Sequence, residues 1–296
     1  MPENTIRPAR SEDRDAVFAF CQQTWEWGDY IERIWDEWLN DPQGQLFVAI
    51  SATSHEQPIG IMHLHMVSEN DAWAQGLRVD PNYRRQGIAR ALHETVTIEA
   101  MRRGASYLRL TIETDNLPSI NLVEQLHMRP IGSYRLYTAP PLPAQKALPW
   151  QHPQLATIEE LDEIIEYLNT SSIFPLVGGV YYAKWRAQPI TAEWLEERIQ
   201  AQQVYMLRRW EQIDGLAIAE MRQENGEQTL SVGYIDGTTI EAISFIAYDL
   251  RRRLHEMELD RVRIYAPDMV LAQDAFDGAE YEAGSPIYNT YERGLF

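Results

Sequence analysis

Three arginines and a glycine stand close together in residues 84–90, which read Arg-Arg-Gln-Gly-Ile-Ala-Arg. An extended run, residues 72–79, precedes them and an apolar helical pattern follows, which predicts a strand, a loop and a helix N-terminus. Backbone N–H groups point outward at such a corner, and the helix dipole adds partial positive charge. Arg84, Arg85 and Arg90 add full positive charges. The corner therefore predicts a binding site for a phosphate or a pyrophosphate.

The loop lacks both common nucleotide-binding patterns, Gly-x-x-x-x-Gly-Lys-Ser/Thr and Gly-x-Gly-x-x-Gly. Arg84-x-x-Gly87-x-Ala89, preceded by Val79-x-Pro81, instead resembles the acyl-CoA loop of the GNAT acyltransferase superfamily. The resemblance implies that the loop amides hold the pyrophosphate of acetyl-CoA and that the preceding strand aligns the pantetheine. It also implies that a backbone N–H of that strand, Val79's, faces the thioester oxygen. The residues so assigned to acetyl-CoA are Leu77, Arg78, Val79, Arg84, Arg85, Gln86, Gly87, Ile88, Ala89 and Arg90.

A second block, residues 116–128, resembles the GNAT pattern Asn-x-x-Ala-x-x-Leu-Tyr-x-x-x-Gly-Phe. Asn116 and Ser119 match the Asn and the small residue, which implies that they bind the pantetheine arm. On its own, Asn116 could equally be a helix N-cap residue. The positions that depart from the pattern are Val123, His127 and Met128.

The residues that would move protons are missing from the positions where the family has them. The two positions for a base fall at Trp73 and Thr111, and the position for the acid falls at Val123. None of these side chains titrates usefully. Neighbouring carboxylates on the same strand faces could deprotonate an ammonium, and a tyrosine could protonate the thiolate. These candidates, for which surface or packing roles are the alternative, are Asp71, Glu113 and Tyr134.

Composition excludes several classes of protein. The single cysteine, Cys21, excludes an internal disulfide framework and a multi-cysteine metal site, and it favours a reducing compartment. A net charge of −18 disfavours nucleic acid and favours cationic substrates such as amines. No apolar run is long enough to span a membrane, and the polar N-terminus is not a signal peptide, so we expect a cytoplasmic protein. His63-x-His65 lacks a third ligand nearby in sequence, so we expect no metal.

The order of the predicted elements repeats after a proline-rich segment. Residues 138–153 carry five prolines and no periodic apolar pattern, which is typical of a linker. We therefore predict a GNAT domain at residues 1–140, a linker at 141–153 and a second, degenerate GNAT-like domain at 154–296. The fold class is α/β (α+β), with two tandem domains that each contain a mixed, mostly antiparallel sheet flanked by helices.

The second half differs from the first at the corner between strand and helix. It reads Gly233-Tyr-Ile-Asp-Gly-Thr-Thr-Ile and lacks the arginines. Asp236 places a negative charge where a phosphate would sit, so we expect that this half does not bind CoA in the usual way.

The sequence as a whole indicates an acetyl-CoA-dependent N-acetyltransferase that uses no metal and transfers the acetyl group directly to a primary amine in a ternary complex. The acceptor would be a small amine or a peptide amine. One alternative is a non-catalytic acyl-CoA-binding or scaffold protein, and another places catalysis on a carboxylate of the second domain, including the chain terminus at Phe296. We expect neither nucleic acid nor a membrane as a partner, and we leave a homodimer open.

Overall fold

The computed structural model describes residues 4–22, 24, 28–51, 56–142, 152–183, 185–224 and 226–296. Trp25 and residues 143–151 of the predicted linker lie outside these ranges. The chain folds into two compact units. The first unit comprises Met1–Thr111, Pro118–Arg129 and Tyr291–Phe296, and the second comprises Ile112–Leu117 and Pro130–Thr290.

Five strands and four helices build most of the first unit. Strands β1 to β5 lie side by side in sequence order, and all neighbours are antiparallel except β4 and β5, which are parallel. The strands are β1 (Asn4–Pro8), β2 (Gly44–Ser51), β3 (Pro58–Met66), β4 (Asp71–Val79) and β5 (Tyr107–Glu113). The helices are α1 (Arg14–Cys21), α2 (Ile31–Leu39), α3 (Ile88–Arg102) and α4 (Leu117–Gln125).

Apolar residues at helical spacing attach α3 to the sheet. Ile88, Leu92, Val96 and Ala100 recur every four residues and are all buried. Gly104, with a φ of 96°, follows the helix in the left-handed conformation, as the sequence predicts for its end. The helix therefore lies with one apolar face on the sheet while its first turn faces the loop that precedes it.

A second apolar cluster joins α1 and α2 to β2 and β3. Trp35 and Trp38 belong to it and are almost completely buried, as is Trp73 on β4. These three tryptophans are therefore core residues.

The second unit repeats the arrangement of the first. The strands of its sheet follow the order β14-β6-β13-β12-β11-β10-β7. From β6 to β7 all neighbours are antiparallel except β12 and β13, which are parallel. The strands of this unit are β6 (Arg129–Ala139), β7 (Gln154–Leu155), β8 (Val180–Ala183), β9 (Arg186–Pro189), β10 (Val204–Arg209), β11 (Gln212–Glu224), β12 (Glu227–Gly237), β13 (Arg261–Pro267) and most of β14 (Glu282–Gly294). The helices are α5 (Leu161–Thr170), α6 (Ala192–Gln200), α7 (Ile240–Glu256) and α8 (Val270–Gly278).

The parallel strand pair locates the repeat. In each unit one long helix connects the two parallel strands, α3 in the first and α7 in the second. Arg109 and Arg263 are equivalent in this repeat, because each occupies the third position of the second strand of the pair. The structure thus confirms the tandem mixed fold. The short hairpin β8–β9 is an addition that the sequence did not predict.

No helix in the described part of the chain is both long and apolar enough to cross a lipid bilayer.

Candidate functional site

Pairing between β4 and β5 stops early. Residues Asp71–Trp73 pair with Tyr107–Arg109, and no later residues of these two strands pair within the described ranges. Both strands continue beyond the last pair, to Val79 and Glu113. An opening therefore lies between residues 74–79 of β4 and residues 110–111 of β5, and we name it the strand opening.

A β-bulge bends β4 along this opening. Ile61 on β3 faces Arg78, whereas His63 faces Gln75, so β4 contains one extra residue in this interval. Gly76 lies in the bulge with a φ of 70°, a conformation that favours glycine. Bulges increase the local twist and end regular pairing, which explains why β4 parts from its neighbour here.

The backbone of Val79 faces away from β3. The next residue, Asp80, donates its N–H to the carbonyl of Ile59 over 2.9 Å. Successive residues of an antiparallel strand point their backbone groups to opposite sides, so the Val79 N–H points to the side of the strand opening. This geometry agrees with the expectation that Val79 faces a thioester oxygen, which stays a prediction.

The loop after β4 leaves the N-terminus of α3 uncapped. Gly87 is the N-cap residue, with a φ of 81°, and no side chain caps this end of the helix. A Cβ atom at Gly87 would meet nothing within 4 Å, so glycine is needed for its conformation and the space before the helix is open. Arg85 also adopts a positive φ, of 64°. Alternating conformations of this kind turn consecutive N–H groups toward one side, where an anion can bind.

Exposed arginines surround this helix end. Arg84 donates from Nε to the carbonyl of Val79 over 3.3 Å, and Arg85 makes no ion pair with any described residue. Arg90 donates from Nη2 to Gln125 Oε1 over 3.2 Å. These groups and the uncapped N–H groups make the corner a cationic site suited to a pyrophosphate.

Arg78 differs from the loop arginines. Its Nε lies 2.7 Å from Asp29 Oδ2, and its guanidinium lies over the ring of Tyr30. Because Asp29 also accepts the N–H of Ile31, the first residue of α2, the Arg78 side chain anchors that helix. Only the backbone of Arg78 lies where the sequence places acetyl-CoA.

The second GNAT block forms the expected turn and helix. Helix α4 begins directly after Asn116, which is exposed, and Ser119 is half-buried in its first turn. His127 replaces glycine but still takes a left-handed φ of 60°, and Met128 is buried in place of phenylalanine. Val123 is 3% exposed and apolar, so this position provides no acid.

The strand opening does not contain Asp71. Asp71 begins β4 at its paired end, eight residues before Val79 or about 26 Å along an extended strand. Its carboxylate forms an ion pair with Arg109 and accepts a hydrogen bond from Ser68 over 2.8 Å. Arg109 in turn lies 2.6 Å from Glu292. Asp71 is therefore placed as an ion-pair partner rather than as a base at the opening.

Glu113 and Tyr134 lie in the second unit among aromatic rings. Tyr134 is completely buried, with ring centroids 4.1 Å from Tyr182 and 5.3 Å from Tyr288. Burial raises the pKa of Tyr288, and a hydrogen bond with Glu113 raises it further. Tyr134 is therefore packed among aromatic rings and Glu113 is a partner of Tyr288, while their catalytic roles stay predictions.

The structure places beside His63 and His65 two residues that sequence reasoning missed. Asp41 Oδ2 lies 3.2 Å from His63 Nε2 and 2.7 Å from His65 Nδ1. Gln75 Nε2 lies 3.0 Å from His63 Nδ1. Asp41 is distant in sequence from both histidines, so no local pattern links them. Within the described residues, no group of three or more His, Cys, Asp or Glu side chains could hold a metal ion.

The corresponding corner of the second unit is closed. Thr238 and Thr239 alone separate β12 from α7, and the Thr239 hydroxyl accepts the N–H of Ala242 over 3.1 Å. Gly233, which we assigned to this corner, instead lies at a bulge inside β12. Asp236 is also not at a phosphate position, because it is buried and accepts the Tyr234 hydroxyl over 2.6 Å.

Comparisons with known proteins agree with this geometry. The family model described as the acetyltransferase (GNAT) family matches residues 13–128. No curated protein matches the chain. A GCN5-related N-acetyltransferase from Sphaerobacter thermophilus is 12% identical with a TM-score of 0.61, and the match covers 99% of this chain and 96% of that one.

Two further solved structures share the fold over 99% of this chain. A GCN5-related N-acetyltransferase from Anabaena variabilis is 12% identical with a TM-score of 0.52, and 73% of it is covered. A GCN5-related glucosamine N-acetyltransferase region of a fungal multi-domain β-N-acetylglucosaminidase is 11% identical with a TM-score of 0.62, and 38% of that chain is covered.

Proposed function

We propose that this protein, whose residues 13–128 are a GNAT-family acetyltransferase domain, transfers the acetyl group of acetyl-CoA directly to a primary amine in a ternary complex. The observation that carries the proposal is the uncapped N-terminus of α3 beside the strand opening. The helix end could bind a pyrophosphate while the neighbouring opening takes the extended pantetheine arm, which supports the proposal.

The loop would hold the co-substrate through its backbone. The N–H groups of residues 85–89 would bind the pyrophosphate, and Arg84 and Arg85 would neutralise its charge. The pantetheine arm would lie in the strand opening, hydrogen-bonded to the free edge of β4. Open space before Gly87 fits this reading, because the anion can approach the amides without meeting a side chain.

The chemistry then requires an amine held against the thioester carbon. The amine nitrogen forms a bond with this carbon, the bond between carbon and sulfur breaks, the ammonium loses a proton and the thiolate gains one. The N–H of Val79 would stabilise the negative charge that develops on the carbonyl oxygen. Holding both reactants in one site supplies a large part of the rate enhancement.

Calorimetric titration with acetyl-CoA tests the proposal, with the double variant Arg84→Glu, Gly87→Glu as its comparison. We expect micromolar binding by the wild type and a loss of at least about 100-fold in the variant, because two carboxylates would face the pyrophosphate. Thiol release with spermidine, L-lysine, tyramine, glycylglycine and glucosamine then tests transfer. No binding by the wild type would contradict the proposal.

A non-catalytic acyl-CoA-binding protein is the second candidate. It is favoured by the apolar, buried Val123 and by Trp73, which is buried at the position of a base. Binding of acetyl-CoA without thiol release for any amine would support this candidate over the enzyme. A homodimer and a cytoplasmic location stay predictions from the sequence.

A further inference from the structure

Gln75 on β4 connects the strand opening to two buried residues behind it. Its amide nitrogen lies 3.0 Å from His63 Nδ1, and the other ring nitrogen of His63 lies 3.2 Å from Asp41 Oδ2. Asp41 Oδ1 accepts the backbone N–H of Gln43 over 2.9 Å. Asp41, His63 and Gln75 thus form a chain of side chains that runs from the α2–β2 loop to β4, and we name it the Gln75 network.

The first two members of the Gln75 network are held rigidly. His63 is completely buried, and Trp38 stacks on its ring with centroids 4.7 Å apart and planes 5° from parallel. A Cβ atom at Gly44 would lie 2.2 Å from Asp41 Oδ2, so the missing side chain of Gly44 makes room for the carboxylate. The imidazole and the carboxylate therefore have little freedom to reorient.

The charge state of Asp41 determines the direction of the hydrogen bonds. Burial alone would raise the pKa of Asp41, but the bonds from His65 and from the Gln43 N–H, with the nearby imidazoles, bring it below its usual value. The negative charge of an ionised Asp41, 3.2 Å from His63 Nε2, favours the tautomer with its proton on Nε2. Nδ1 is then the acceptor for the amide NH₂ of Gln75. The amide oxygen of Gln75 must then face away from His63.

Gln75 lies on the part of β4 that borders the strand opening. Gln75 is half-buried, and it lies two residues beyond Trp73, the last residue of β4 that pairs with β5. Its oxygen makes no hydrogen bond with any residue in the described ranges. A carbonyl oxygen fixed at this end of the opening is suited to accept one N–H of an amine and so to orient the nitrogen lone pair.

We propose that Gln75 binds the acceptor amine through its amide oxygen, and that Asp41 and His63 are positioning residues that fix the direction of this oxygen. The inference rests on the proposed function and adds to it the group that orients the nucleophile. It predicts that the network affects the amine and leaves acetyl-CoA binding unaltered.

Steady-state thiol release tests the inference, with the best amine of the panel named above. Gln75→Met keeps the length of the side chain and removes the oxygen, so we expect the KM for the amine to rise about tenfold while the KM for acetyl-CoA stays within twofold. His63→Phe preserves the stack on Trp38 and removes Nδ1, and we expect about a threefold rise. In the Gln75→Met background, His63→Phe should add nothing.

His65→Gln is the matched control, because glutamine keeps a hydrogen-bond donor for Asp41, which stays ionised, and this position does not contact Gln75. We expect its KM for the amine to equal that of the wild type. An amine KM in Gln75→Met equal to that of the wild type would overturn the inference. So would an effect of His63→Phe on the amine KM that is the same in the wild type and in the Gln75→Met background.

A measurement without turnover separates this inference from the proposed function. The side-chain amide signal of Gln75 is assigned in an NMR spectrum by its loss in Gln75→Met. We expect it to shift when an amine of the panel is added to the CoA complex, even if no thiol is released. No shift with any of the five amines would overturn the inference, whereas a shift without turnover would contradict only the proposed transfer.

Discussion

The two units place a long helix after an equivalent strand, but only one of the two corners leaves the helix N-terminus open. In the first unit, residues 80–87 form a loop that ends at Gly87, and no side chain caps α3. In the second unit, the Thr239 hydroxyl caps α7 directly after β12. This fold therefore does not itself create an anion site, because such a site depends on a few loop residues.

The space beside the first parallel strand is open in the first unit and filled in the second. Parallel pairing also ends early in the second unit, at Val232 and Ile264. There, however, β8 packs against β12, and a Cβ atom at Gly233 would lie 2.1 Å from the carbonyl of Tyr182. The space that is open in the first unit is thus occupied by the chain itself in the second. We therefore expect one acetyl-CoA per chain.

The largest expected effect separates two equivalent arginines. Arg109 is buried between Asp71 and Glu292, whereas Arg263 is half-buried. Arg109→Met removes the cation between two largely buried carboxylates, so that Asp71 loses its arginine and Glu292 keeps only Arg129. The variant should lower the free energy of unfolding by about 3–5 kcal/mol. Arg263→Met should cost about 1 kcal/mol or less. Urea unfolding of both variants measures the difference. Equal losses in the free energy of unfolding would show that the two arginines contribute equally to stability.

The role of Arg109 illustrates what sequence can and cannot predict. Its place on β5 follows from a local apolar pattern, as does the helix α3 after the loop. Its partner Glu292 is nearly two hundred residues away and lies in the last segment of the chain. Local patterns carry no information on such a pair, because tertiary packing alone brings it together.

The candidate site likewise contains residues that the sequence predicts and residues that it cannot predict. The conformation of the loop from Arg84 to Ala89 was predictable, because glycine and the neighbouring residues specify it locally. The proposed proton acceptors were chosen by strand register, and Asp71 proved to lie at the paired end of β4. Asp41 and Gln75 could not be found, since their connection through His63 exists only in the folded chain.

The next largest effect is a loss of stability at acidic pH, which we expect from the histidine of α3 and not from that of α7. His93 on α3 is buried, and this burial, together with the charge of Arg293, lowers its pKa to about 4. The unfolded chain binds a proton near pH 6.5, so stability is lost as the pH falls from about 6.5 to 4, by about 2–3 kcal/mol. The histidine of α7, His255, is exposed. Thermal unfolding between these pH values should show the loss.

His93→Leu is the control for this pH dependence. It removes the titrating group while it keeps an apolar side chain in the same space, so the slope of stability against pH should decrease. A slope equal to that of the wild type would assign the acid sensitivity to other groups.

A smaller effect tests whether an open helix end is sufficient for binding. Thr239→Ala removes the cap of α7 and should destabilise the protein by about 1 kcal/mol. It should not create a second acetyl-CoA site, because β8 still occupies the neighbouring space and no arginines replace Arg84 and Arg85. Calorimetry should give a stoichiometry of one, and a value of two would show that the cap alone closes the second unit.

The smallest effect concerns a feature that the two units share. After α4 and after α8, a residue other than glycine takes a left-handed conformation, His127 with a φ of 60° and Glu280 with a φ of 58°. In both turns the next residue donates its N–H five residues back, Met128 to Val123 over 3.0 Å and Tyr281 to Phe276 over 3.0 Å.

Replacing either residue by glycine relieves a strain of about 1–2 kcal/mol and loses about 0.5–1 kcal/mol to the greater entropy of the unfolded chain. His127→Gly and Glu280→Gly should therefore each stabilise the protein by about 0.5 kcal/mol, with additive effects in the double variant because the turns lie in different units. Chemical denaturation of the three variants measures this. If one variant is stabilised and the other destabilised, the two turns differ in energy although their backbone geometry is alike. The side chain lost in the destabilised variant would then stabilise its turn by more than the left-handed conformation costs.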